Sequence, residues 1–116
     1  MSTPQAQPIF YKNVVPINKE QHGELFIEAV DGFGFANSSS SLYIAAIEFP
    51  QASQEYPIVF GKDSNDVVFP VALLGLQPNQ NLYIDDNDKW NAAYIPAYAR
   101  RYPFILAKGN GTTEDQ

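Results

Sequence analysis

The sequence predicts a β-rich α+β fold of short, mainly antiparallel strands with one or two short helices. Short apolar runs recur between residues 9 and 107, each bounded by Pro, Gly, Asn or Asp. The links between them are polar turns, whereas parallel pairing needs crossovers of roughly a dozen residues or more. One segment alone, Tyr94 to Tyr102, spaces its aromatic side chains as a helix would. The count that follows is about six to eight short strands.

Residues 1–8 are polar with prolines at 4 and 8 and read as a tail, residues 9–107 as a single domain, and residues 108–116 as a second polar tail. Ile9 to Val15 is the first expected strand, closed by Pro16, whose ring has no N–H to continue a ladder. Asn18 to Glu24 fits either one helical turn capped by Asn18 or a loop. Leu25 to Val30 is the next expected strand, ended by Asp31-Gly32, and Gly32 to Ser41 (GFGFANSSSS) reads as a loop. The apolar run Leu42 to Phe49 reaches Pro50, and a short helix fits between Pro50 and Pro57 because proline is tolerated in a first turn. Pro57 to Phe60 is a strand expected to stop at Gly61, and Lys62 to Asp66 a polar turn. Val67 to Leu76 is the most apolar stretch, and its Pro70 argues for an edge position, a bulge or a break. Leu82 to Ile84 is a strand, Asp85 to Lys89 a tight reversal, Tyr94 to Tyr102 a helix ended by Pro103, and Phe104 to Leu106 a last strand.

A chain of 116 residues holds one core, and 45% hydrophobic with 17% charged residues is enough apolar material to fold. Seven Lys and Arg against 13 Asp and Glu leave a net charge of -6, which repels phosphate backbones and argues against nucleic acid as a partner. The absence of cysteine excludes disulfides, thiolate nucleophiles and Cys-based metal sites. No apolar run approaches the roughly 18 residues of a membrane-spanning helix. The first residues lack the basic and apolar regions of an ordinary secretory signal, so the expected location is cytoplasmic, or the cell surface by a non-standard route.

Few residues point to catalysis. The single histidine, His22, stands in a polar segment with no Ser, Asp and His grouping around it. One histidine and no cysteine leave a transition metal short of nitrogen and sulfur ligands, so neither a metal nor a cofactor is expected. Asp85, Asp86 and Asp88 could offer oxygens to calcium, but the EF-hand glycine and glutamate are missing, and a charged turn is the plainer reading; Lys62 to Asp66 reads the same way. Gly32 and Gly34 lack the strand-then-helix setting of a dinucleotide site and read as turn glycines. Of Arg100 and Arg101, one can pair with an internal carboxylate such as Glu48 while the other faces water, or the two can serve an anion or a partner. An enzyme would need carboxylates such as Glu48 and Glu55 held in a pocket with their pKa values driven apart. Aromatics make up 14% of the chain, more than so small a core can hide, and the excess points to a surface facing a partner, a sugar or the remainder of a larger chain. For a glycan or small ligand, Trp90, Tyr94 and Tyr98 would be the aromatic platform, with Asp86 or Arg101 orienting the ligand.

Three phrases resemble the SapC family, bacterial proteins named for an association with the surface-layer locus. They are AAIEFPQASQEYPIVFG (45–61), VVFPVALLGLQPNQNLYID (67–85) and KWNAAYIPAYARRYPFIL (89–106), and they carry in order Glu48-Phe49-Pro50, Tyr56 to Phe60, Asn81-Leu82-Tyr83, Trp90, Tyr94-Ile95-Pro96 and Arg100 to Phe104. The chain departs from the pattern at Asp88-Lys89, where relatives tend to have a glycine, and resembles the N-terminal part of the longer relatives. The resemblance implies surface-layer association, assembly or export by a structural or interaction protein, with a protein partner or self-association, and brings no catalytic motif. Phe104 to Leu106 would then lie at an unpaired edge open to a second copy.

Overall fold

The computed structural model describes residues 9–29 and 31–106. Three strands, β1 (Ser41–Tyr43), β2 (Ile58–Lys62) and β3 (Val68–Leu73), form an antiparallel sheet in the order β1-β3-β2. Three helices of four residues each, α1 (Lys19–His22), α2 (Phe49–Ala52) and α3 (Ala97–Arg100), and two 3-10 turns, Gly34–Ala36 and Ala46–Glu48, complete the regular structure. The β-rich α+β class with antiparallel pairing therefore stands, while the described residues hold three strands and not six to eight. Both expected tails lie outside the described residues.

The alternation of β-strand side chains sorts the sheet into two faces. Leu42 and Ile58 flank Ala72, and with Ile44 and Leu74 they turn one face toward the core, which Ala36, Ala52, Tyr56, Trp90 and Ala99 complete. Tyr43 and Val59 flank Val71 on the other face and are exposed. Pro70 sits in the central strand, which the sequence rule for proline disfavours. Ile44 donates its N–H to the Pro70 carbonyl at 3.3 Å, and proline has no N–H to return. The ladder is left half made at that step, and β1 ends at Tyr43. Gly61 lies inside β2 instead of stopping it, because the Phe69 ring lies over it; a Cβ there would come within 2.9 Å of that ring.

Four expected strands do not form. Phe10 turns at φ 79°, and Tyr11 is buried with its hydroxyl donating to the Phe104 carbonyl at 2.7 Å, so Ile9 to Val15 is anchored by side chains and not by a ladder. Phe104 donates its N–H to Arg101 O in a turn, which ends the prospect of a strand at Phe104 to Leu106 and of an open edge there. The Asn81 side chain accepts the Tyr83 N–H and donates to Ala36 O, bending Leu82 to Ile84 until only the bridge Ile84 to Trp90 remains. Leu25 to Ala29 is unpaired and exposed, and Val30 lies outside the described residues.

Local signals fared better. Asn18 caps α1, accepting the Gln21 N–H at 2.8 Å. Pro50 sits in the first turn of α2. The long expected helix over 94–102 shrinks to α3 because Pro96, at ψ 141°, is still extended and helical backbone begins only after it. The Gly32 to Ser41 loop contains a 3-10 turn and opens β1 with its last residue. The two acidic turns share one design, Asp-x-Asn-Asp. Asp63 accepts the N–H groups of Asn65 and Val67, Asp85 those of Asn87 and Lys89, and Asp66 and Asp88 take the left-handed φ of 63° and 60°.

Candidate functional site

The carboxylates singled out for chemistry are committed to the framework. Glu48, 7% exposed, follows β1 on a 3-10 turn, and one of its oxygens accepts the Ala45 N–H at 2.7 Å. Its other oxygen accepts the Tyr94 hydroxyl at 2.6 Å and the Ala97 N–H at 2.8 Å, so it joins β1 to the start of α3. Burial pushes the Glu48 carboxyl up, but the hydrogen bonds from Tyr94, Ala97 and Ala45 outweigh it and hold the group below its ordinary 4.5. Glu55, just past α2, accepts the N–H groups of Ala93 and Tyr94 at 2.8 and 2.7 Å.

Between these two carboxylates runs a chain of neutral donors. The Trp90 indole N–H donates to the Tyr56 hydroxyl at 2.8 Å, and that hydroxyl donates to the Tyr94 carbonyl. Burial pushes the Tyr56 phenol up to about 12. Tyr83 closes the set, donating its hydroxyl to Glu55 O at 2.7 Å. Acceptors and donors here satisfy one another.

The four residues expected to bind a ligand fall into two settings. Trp90 is 8% exposed, packed edge to face against Phe33, and Tyr94 is joined to it through Tyr56. Tyr98 and Arg101 form the second pair, the guanidinium 4.2 Å above the ring. Asp86 is exposed in the Asp85 turn. Arg100 reaches Glu48 through Tyr94, donating to that hydroxyl at 3.3 Å and to Ile95 O at 2.8 Å. His22 bonds within its own helix, its Nδ1 3.0 Å from the Asn18 N–H. Gly32 and Gly34 are turn glycines with a packing reason: a Cβ on either would come within 2.9 Å of Asp88. Among the described residues no group of three His, Cys, Asp or Glu is placed to hold a metal, and no helix is long and apolar enough to cross a membrane.

An open groove of about 950 Å³ lies elsewhere, between the serine run Ser38 to Ser41 and an aromatic wall of Phe10, Tyr11, Phe35 and Tyr102, with Lys12 and Asn79 also lining it. Phe35 and Tyr102 stack at 4.0 Å, and Phe10 meets both edge on, which gives the wall its stiffness. Ser39, 9% exposed, lines the groove between its serine neighbours. The sequence offered one sign of this groove, four consecutive hydroxyls next to Phe35, but nothing that placed residues 10–12, 79 and 102 beside them.

Fold and site together define a small antiparallel-sheet protein whose buried ionisable groups hold its own framework. The chain belongs to the SapC family, whose model matches residues 17–116. No curated protein and no solved structure matches it.

Proposed function

We propose that this SapC-family chain is a non-enzymatic structural or interaction protein that works in the assembly or export of a bacterial surface layer. One observation carries the non-enzymatic part: Glu48 and Glu55, the carboxylates an enzyme reading would need, are occupied as acceptors for backbone N–H groups and Tyr94. Family membership supports the surface-layer part. Exposed apolar side chains on the outer sheet face, Tyr43 and Val59 among them, supply surface for a partner. Calorimetric titration with the surface-layer subunit of the same bacterium tests this. Saturable binding with a negative heat-capacity change is expected, and no binding at any temperature overturns it.

The groove favours a second reading, a polyhydroxylated small molecule or glycan held by the serine hydroxyls against Tyr102. Saturation-transfer NMR against a panel of mono- and disaccharides tests it. Transfer that disappears in Ser39→Val supports this reading, and no transfer from any sugar ends it.

A further inference from the structure

Among the described residues, one strand edge and one strand-prone segment of this chain are both without backbone partners of a ladder, and they match. In β2 the odd-numbered residues face β3: Pro57 accepts the Leu73 N–H, and Asp63 donates to Val67 O. By the alternation of an antiparallel ladder, Ile58, Phe60 and Lys62 turn their N–H and C=O groups outward. Among the described residues no backbone partner meets them. Phe60 is 65% exposed, and the edge has no proline, only Lys62, against further pairing. The opposite edge is different, since β1 is three residues long and α3 packs against it.

The segment Glu24 to Ala29 is the counterpart. Phe26 and Ile27 are β-prone residue types, yet Leu25, Phe26 and Ile27 are 70%, 97% and 75% exposed. The segment makes one backbone hydrogen bond among the described residues, from Leu25 N–H to His22 O. Set Phe26 opposite Phe60, and Glu24 falls opposite Lys62 when the strands run antiparallel. In parallel alignment Glu28 takes that place, because Glu24 and Glu28 flank Phe26 as Lys62 and Ile58 flank Phe60. Either way an aromatic pair and an opposite-charge pair share one face, with Lys62, whose Nζ also meets Asp66 at 2.8 Å, shared between two carboxylates. Leu25 and Ile27 then join Val59 on the outer apolar face, one of them beside Gly61 and the Phe69 ring that lies over it. In the antiparallel alignment the pairing uses the even-numbered residues of the segment, so the Leu25 N–H bond to His22 survives it; the parallel alignment uses the odd-numbered residues and competes with that bond.

We infer that Glu24–Ala29 of a second copy adds as a fourth strand on the outer edge of β2. This deepens the interaction-protein reading and rests on it, naming the partner as another molecule of the same chain. Two copies that exchange segments close a dimer, and one-way exchange builds an open chain. A six-residue strand with three large side chains buries an area at the low end of stable interfaces, so association in the range of about 10 µM to 1 mM is expected.

Light scattering on size-exclusion fractions, across that range and at low salt, is the test. The wild-type mass rises from monomer with concentration. Phe26→Glu, at a side chain that touches almost nothing, stays monomeric. So does Lys62→Pro, which removes an outward N–H and leaves the β2–β3 ladder intact. An equimolar mixture of these two variants forms a one-to-one heterodimer, because one retains the edge and the other the segment. Circular dichroism confirms that each variant is folded. A wild type that is monomeric throughout overturns the inference, as does an assembly that survives both substitutions. Either result leaves the broader reading standing if the surface-layer subunit still binds, whereas loss of that binding removes the broader reading on its own.

Discussion

Two regions of this molecule begin from similar sequence material and end differently. Residues 45–56 and 83–100 are tied together by hydrogen bonds that span 28 to 49 residues, through Glu48, Glu55, Tyr56, Tyr83 and Trp90. Among the described residues, the hydrogen bonds of residues 12–29 span three or four residues, around α1, and nearly every side chain there is exposed. Leu25-Phe26-Ile27 is as apolar as Val71-Ala72-Leu73. The difference is that β3 has a partner on each side and a stapled neighbour, while the earlier segment has neither. In a chain this small, buried acceptors for distant N–H groups decide which apolar runs become structure, because they offset the entropy of ordering distant segments.

Removing the central acceptor should therefore break the contrast most. Glu48→Ala orphans three donors at once and is expected to cost about 3–5 kcal/mol, enough to bring much of the molecule near unfolding. The urea midpoint reads it. Glu48→Gln should cost less, because its amide oxygen still accepts from Tyr94 and Ala97 while the Ala45 N–H meets an NH2 group. A Glu48→Ala protein as stable as wild type would mean that the staple is incidental and that the two regions differ for another reason.

Next in size is Tyr56→Phe, which leaves the Trp90 indole N–H and the Tyr94 carbonyl without partners in the core. A loss of about 1–3 kcal/mol is expected, with a change in Trp90 fluorescence as its surroundings loosen. Residues 12–29 share no contact with this chain of bonds, so hydrogen exchange there should be unchanged. Faster exchange in both regions would show that they unfold as one.

Proton linkage sharpens the comparison without mutation. The folded Glu48 carboxyl titrates below its ordinary 4.5, so its contribution is fully present above about pH 4.5 and is lost as the pH falls through the folded value. Tyr56 works in the opposite direction. Its folded pKa is raised from 10.0 to about 12, so its contribution is complete below pH 10 and is lost as the pH climbs toward 12. Stability against pH should fall away at both ends. Glu48→Gln should flatten the acid limb and Tyr56→Phe the alkaline one.

The comparison also explains which parts of the fold could be read from residue order. Asn18 as a cap, Pro50 in a first turn and the two Asp-x-Asn-Asp turns depend on neighbours within four residues, and those forces are written locally. Residue order overstates the number of strands because β-propensity reports a side chain's fit to a pleated surface and says nothing about whether a partner arrives. Glu48 as the partner of an arginine was half legible: the attraction exists, but it runs through the Tyr94 hydroxyl. Trp90, Tyr94, Tyr98 and Arg101 were grouped by closeness in the chain, and the fold pairs them differently because Pro96 delays α3 and leaves Tyr94 outside it. The groove combines four separate stretches, and no single stretch announces it.

The smallest expected effect is the most discriminating. Phe26→Ser alters a side chain 97% exposed, so the stability of the isolated monomer should stay within about 0.5 kcal/mol of wild type. A loosely tied segment contributes nothing to its own fold, and an apolar ring kept fully in water has to be explained by something other than the monomer. If dilute Phe26→Ser matches wild type in urea while concentrated wild type gains stability that Phe26→Ser does not, the gain comes from association by mass action. If the dilute variant is already destabilised by a kilocalorie or more, Phe26 packs against its own chain, and residues 12–29 belong to the same cooperative unit as the stapled half.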